Sequence, residues 1–160
     1  MKDKTISIKI LSINVGRSSS AHQIALDTAF NIQIDFLLIQ EPYIFRDVTR
    51  KITRNHPSFE CFTPVDDWSI RPRVLTYIRR GIALHTRQER PSFTDQGGIG
   101  DILILSSRTS NNSQFSIINI YNAPPGAINP GSGVNTLLSL PSPPHANSIL
   151  AGDFNLHHTE

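Results

Sequence analysis

The sequence predicts an α/β fold, and three observations predict it. The chain opens with strand, helix and strand patterns in that order. Its second apolar run, Ile34 to Gln40, is nearly unbroken, as in a strand covered on both faces. The middle then carries several short apolar strands with no helical pattern between them. With 160 residues, 38% of them hydrophobic, the chain can bury one substantial core, and 1–160 is read as one domain.

Taken in order, Ile6, Ile8 and Ile10 alternate with Ser7 and Lys9, the period of a strand buried on one face, and this first strand delivers Asn14 to a loop. Ser18, Ser19 and Ser20 are N-cap candidates for a short helix from Ala21 to Phe30 that buries Ile24, Leu26, Ala29 and Phe30. After Ile34 to Gln40, the polar, Pro- and charge-rich stretch from Arg46 to Arg73 reads as a long loop. Val74 to Ile78 and Ile82 to His85 read as strands joined around Arg79, Arg80 and Gly81, with Ile102 to Leu105 completing an antiparallel meander. Phe115 to Tyr121 is a further strand, ended by Pro124 and Pro125. Val134 to Leu140 forms a short helix stopped by Pro141, Pro143 and Pro144, and Ser148 to Phe154 is the last strand.

Composition is permissive rather than directive. Fifteen Lys+Arg against 13 Asp+Glu give a formal charge of +2, too near balance to point to a nucleic acid on its own. The single cysteine, Cys61, excludes an internal disulfide and a cysteine-rich zinc site. The start, Met1-Lys2-Asp3-Lys4, lacks the apolar stretch of a signal peptide, and no later run spans a membrane, so an intracellular protein is expected.

Polar side chains recur in one kind of place, directly after an apolar strand: Asn14, Glu41, Tyr121 with Asn122, and Asp153 with Asn155. In open α/β sheets ligands gather at such strand ends, where loops from several strands face one crevice. Glu41, between Gln40 and Pro42, offers hard oxygens to a cation such as Mg²⁺, although a solvated strand-end carboxylate is the plainer reading of that residue alone. Gly152-Asp153-Phe154-Asn155 is more specific, because an extended chain would put Asp153 and Asn155 on the same side. His157 and His158 are adjacent and face opposite ways if extended, so at most one joins a site, and a surface role is expected for each. His22, His56, His85 and His145 stand apart from these motifs.

These residues, in this order, resemble the motifs of the endonuclease/exonuclease/phosphatase superfamily, which includes apurinic/apyrimidinic endonucleases and DNase I-like enzymes. Leu11-Ser12-Ile13-Asn14-Val15 is similar to the first-strand Asn motif, Gln40-Glu41-Pro42 to the metal-binding Gln-Glu motif, and Gly152-Asp153-Phe154-Asn155 to the Gly-Asp-Phe/Leu-Asn motif. Asn14 to Ser18, Gln40 to Tyr43, Arg71 to Tyr77, Tyr121 to Gly126 and Asp153 to His158 resemble the endonucleases of LINE-type (non-LTR) retrotransposons in particular. The resemblance implies a DNase I-like fold, a four-layer α/β/β/α sandwich. It implies that Glu41 binds Mg²⁺ or Mn²⁺, that Asn14 helps arrange the metal site, and that Tyr121 contacts the scissile phosphate. Asp153 would orient or deprotonate the attacking water, and Asn155 would hold the phosphate.

The implied reaction is hydrolysis of a DNA phosphodiester, nicking a target strand to leave a 3′-hydroxyl that primes reverse transcription, in the nucleus, with a reverse transcriptase on the same polypeptide of intact elements. Arg17, Arg71, Arg73, Arg79 and Arg80 are candidate phosphate contacts, each with solvation as the plainer reading. Family members continue past Gly-Asp-Phe-Asn to a further Asp and a Ser-Asp-His motif, whereas this chain ends at Glu160. A fold incomplete at the C-terminus is therefore expected, with slight or absent activity in this chain alone. Two other readings are a catalytically inactive fragment that binds nucleic acid or protein, and a phosphatase of the same fold acting on a phosphoinositide or another small phosphodiester.

Overall fold

A computed structural model describes residues 7–47, 49–66, 70–90, 98–140 and 147–156. Ile6, the prolines 141, 143 and 144, His145, and the pair His157 and His158 lie outside the described residues.

The chain is mixed α/β. Strand β1 (Ile10–Asn14), helix α1 (Ser19–Asn31) and β2 (Phe36–Gln40) come first. They are followed by β3 (Ile44–Arg46), β4 (Lys51–Thr53), β5 (Phe59–Phe62), β6 (Val74–Arg79) and β7 (Leu84–Glu89). A 3-10 turn (Ile99–Asp101), β8 (Ile102–Thr109), β9 (Gln114–Tyr121), α2 (Ser132–Leu138) and β10 (Ser148–Asp153) complete the order. Two four-stranded sheets form, ordered β1-β2-β6-β5 and β10-β9-β8-β7, and β3 pairs with β4 as a separate ribbon. Each large sheet has one parallel pair, β1 with β2 and β9 with β10, and each pair is bridged in sequence by a helix. The other pairings are antiparallel.

Alternation along β2 explains its unbroken apolar sequence. Leu37 and Ile39 pack with Val15, Ala25, Leu26, Ala29 and Tyr77 beneath α1. Phe36 and Leu38 point the other way and join Val74 and Ile78 against Leu103, Leu105, Ile117 and Tyr121 of the second sheet. Ile102, Ile104 and Ile118 form a third cluster, against which Leu137 of α2 and Leu140 pack. A strand with both faces covered has no polar side to show in its sequence.

Several expectations are corrected. The expected hairpin of Val74–Ile78 with Ile82–His85 does not form: β6 pairs with β2 and β5, β7 pairs with β8, and the connection through Gly81 carries the chain from one sheet to the other. The difference is physical, because β6 is buried along almost its whole length whereas β7 alternates at a sheet edge. The expected loop from Arg46 to Arg73 contains β4 and β5, short strands whose signal is broken by Pro57 and neighbouring charges. In α1 the buried stripe is His22, Ala25, Leu26 and Ala29, at true helical spacing, while Ile24 and Phe30 are exposed. The cap is as expected: the Ser18 hydroxyl accepts from the Ala21 N–H at 3.2 Å.

Candidate active site at the strand ends

The parallel pairs β1/β2 and β9/β10 end at the same rim, because β1 with β10 and β2 with β9 are in contact across the two sheets. Asn14, Glu41, Tyr121 and Asp153 therefore meet. The Asn14 amide is the bridge: its Nδ2 donates to Asp153 Oδ2 at 2.7 Å and lies 3.4 Å from Glu41 Oε2, while its Oδ1 accepts from the Gly16 N–H at 2.8 Å. The Tyr121 hydroxyl donates to Glu41 Oε1 at 3.4 Å, and the Arg17 guanidinium reaches the same oxygen at 3.1 Å. Two carboxylates from opposite sheets are thus held together by neutral and cationic donors.

Backbone strain marks the same place. Glu41 (φ 45°), although it precedes proline, and Asn155 (φ 46°) both occupy the left-handed region, which costs a non-glycine residue about 1 kcal/mol or more. Glu41 is held there by its N–H, which donates to the Arg73 carbonyl, and by its carbonyl, which accepts from the Arg17 N–H at 2.7 Å. For Asn155 the extended geometry expected after β10 is corrected. The chain turns, Asn155 N–H donates to Asp153 Oδ1 at 3.1 Å, and its Nδ2 donates to the Asn122 carbonyl at 2.8 Å. Asx-type turns compete with strand continuation in this way. Asn122 ties the region to α2, since its Oδ1 accepts from Val134 N–H while its Nδ2 donates to the Phe154 carbonyl.

Below the rim lies a buried amide network that sequence reasoning missed. Gln40 points between the sheets and donates to Asn119 Oδ1 at 2.7 Å and to Ser12 Oγ at 3.1 Å. Asn119, fully buried, donates from Nδ2 to the Leu75 carbonyl at 2.9 Å. Gln40 thus braces the two sheets under Glu41. Asn119 interrupts the apolar run Ile117 to Tyr121, and that interruption was the available signal.

The basic residues divide by environment. Arg79 donates to the carbonyls of Ile34, Ala29 and Phe30 and so closes the end of α1. Arg73 is paired with Asp101 at 2.6 Å, and Arg80 is exposed. Arg71 lies in the field of Arg17, Arg46 and Glu41; burial, then the two like charges, lower its pKa against the opposing pull of Glu41. Tyr121 is raised by burial and by the charges of Glu41 and Asp153, against the opposing effect of Arg73 and Arg17. It stays a neutral donor at ordinary pH.

A hard divalent cation fits this donor set. Mg²⁺ is commonly held by one or two carboxylates with its remaining positions filled by water, and Glu41 offers a half-buried carboxylate at the rim. The Asn14 orientation fixed by Gly16 makes this amide an organiser of the two acids. Among the described residues no cluster of three or more His, Cys, Asp or Glu side chains that could hold a metal ion is present.

The paired mixed sheets have the fold of DNase I-like endonucleases. The endonuclease domain of TRAS1, a telomere-specific non-LTR retrotransposon, matches with a TM-score of 0.68 at 19% identity, over 95% of this chain and 61% of that one. An endonuclease/exonuclease/phosphatase family protein from Leptotrichia buccalis C-1013-b matches with a TM-score of 0.54 at 15% identity, over 93% of this chain and 67% of that one. At these identities the likeness is one of fold, and the chain spans less than two thirds of the TRAS1 domain's length. No protein-family model and no curated protein matches the sequence.

Proposed function

We propose that the strand-end rim is a metal-dependent phosphodiesterase site and that its substrate is DNA. The observation that carries this reading is the Asn14 amide bridging Asp153 and Glu41, acids that arrive from different sheets. An anionic phosphodiester repels a lone carboxylate, so a pair of acids at such a rim has a use only where positive charge offsets them. Arg17 and Arg71 supply part of that charge around Glu41, with Arg46 adding to the field at Arg71. Glu41 would hold Mg²⁺ or Mn²⁺, which would neutralise charge on the phosphate and lower the pKa of bound water.

The chain's own groups take the remaining tasks. Tyr121, a neutral donor, contacts a phosphate oxygen. Asp153, fixed by Asn14 and by the Asn155 N–H, orients the attacking water and accepts its proton. Asn155 donates to the phosphate once its amide leaves the Asn122 carbonyl. Within an element like that of the TRAS1 neighbour, the finer role is nicking of chromosomal target DNA in the nucleus, alongside a reverse transcriptase.

The test is relaxation of supercoiled plasmid by purified protein with Mg²⁺ and with EDTA. Metal-dependent nicking supports the reading. Salt-sensitive DNA binding with no nicking at any Mg²⁺ concentration would replace it with a binding role.

A further inference from the structure

Antiparallel strands begin where their neighbours end, so β6 and β8 bring the residues just before them to the same rim as Glu41 and Tyr121. Val74 is paired with Gln40, and Ile102 with Ile120. The preceding residues are Arg73 and Asp101. Their side chains form a two-pronged pair, Nε to Oδ1 at 2.6 Å and Nη2 to Oδ2 at 2.8 Å, with Asp101 almost fully buried. Ser132, at the start of α2, donates to Asp101 Oδ2 and also lies 3.4 Å from Arg73 Nη2. The guanidinium is therefore fixed in plane and direction. Its free face is turned on Tyr121, with Cζ 4.8 Å from the ring centroid. The Arg73 backbone accepts from Glu41 N–H at 2.8 Å, and donates to the Gly100 carbonyl at the same distance.

An ion pair with one partner buried and the other half-buried gives little net stability, because desolvation offsets much of its attraction. Its fixed geometry is better explained by what it holds. We propose that Arg73, locked by Asp101 and Ser132, is a positioning residue that fixes the plane of the Tyr121 ring and so aims its hydroxyl at the Glu41 rim. The proposal deepens the phosphodiesterase reading and rests on it for its kinetic consequence. Arg73 itself does not touch substrate. Lysine cannot replace it, since an ammonium has neither the fork that grips Asp101 nor a planar face.

The test has two arms on the full chain, with Arg73→Gln and Arg73→Lys checked for native melting behaviour. In the first, tyrosine-ring ¹³C–¹H NMR follows Tyr121, assigned with Tyr121→Phe. Both Arg73 variants are expected to shift or broaden the Tyr121 ring resonances while those of Tyr43 hold, and Asp101→Asn is expected to do the same. In the second arm, plasmid nicking by Arg73→Lys is expected to lose about tenfold in kcat with KM changed less than about twofold, the pattern of a lost transition-state contact. Tyr121→Phe should then cost less in that background than in the wild type. If wild-type protein does not nick, the phosphodiesterase reading fails and the ring spectrum alone decides the positioning role. Unchanged Tyr121 resonances in folded Arg73→Lys overturn the proposal, as does full rescue of kcat by lysine. If Arg73→Gln does not fold, the lysine variant carries both arms.

Discussion

His22 shows how a single side chain on the helix reaches the rim. Its Nδ1 accepts from the Tyr43 N–H at 3.2 Å, two residues beyond Glu41, and its Nε2 meets the Tyr77 hydroxyl at 3.0 Å. Tyr77 in turn donates to the Arg54 carbonyl at 2.5 Å, which leaves the Nε2–H to donate to Tyr77 and fixes the neutral tautomer. Burial, and then the charge of Arg54, lower His22 from 6.5 to about 4. Unfolded chain therefore binds a proton near pH 6.5 that folded chain refuses until about pH 4, so stability is lost as pH falls through that window. The loss by the bottom of the window is roughly 3 kcal/mol. Urea melts between pH 7 and 4.5 measure it, and in His22→Gln the His22 share of the slope is expected to vanish. Neighbouring Cys61 is inert by the same cause, since burial pushes its thiol up to about 12.

At the scale of elements, helix α2 is fitted against the end of β9 with no room to spare. A Cβ on Gly133 would fall inside contact distance of the Tyr121 carbonyl oxygen, and one on Gly152 would collide with the Ile120 carbonyl beside it. Gly133→Ala is expected to cost about 1–3 kcal/mol by overpacking, a loss of several degrees in Tm by calorimetry. The same substitution should weaken the site, because Ser132 next to it holds Asp101.

Much of this was legible in the sequence, and the exceptions share causes. Strands β1, β2, β9 and β10 announce themselves because a polar residue follows each apolar run, and the four rim residues were found that way. Asp101 precedes its strand, so a search confined to residues after strands passes over it, and Arg73 is read from sequence only as a candidate phosphate contact, with no sign of its pairing to Asp101. Strands β4 and β5 went unread because they are short and flanked by Pro57 and charges. The far half of β8 was missed because Ser106, Ser107 and Arg108 are polar yet continue the ladder to β7 and β9. The hairpin error has another origin: local pattern shows that β6 and β7 are strands but carries no record of which sheet each joins.

Across the whole molecule the site exists because two similar halves face each other. Each half supplies a parallel pair with a helix between its strands, and the C-terminal ends of both pairs reach one rim. The Gln40–Asn119 contact at 2.7 Å joins the sheets directly below, within a buried network that also takes in Ser12 and the Leu75 carbonyl. Among the described residues no helix is long and apolar enough to cross a membrane. Exposed Ile149 and Leu150 lie along β10, which ends the order of its sheet. The central claim, that acids from the two sheets form one hydrolytic centre, is tested most directly by Mg²⁺-dependent plasmid nicking with Glu41→Ala and Asp153→Asn, each checked for native melting. Both variants are expected to fall by about 10²-fold or more relative to wild type. Nicking at the wild-type rate by either folded variant would contradict the account.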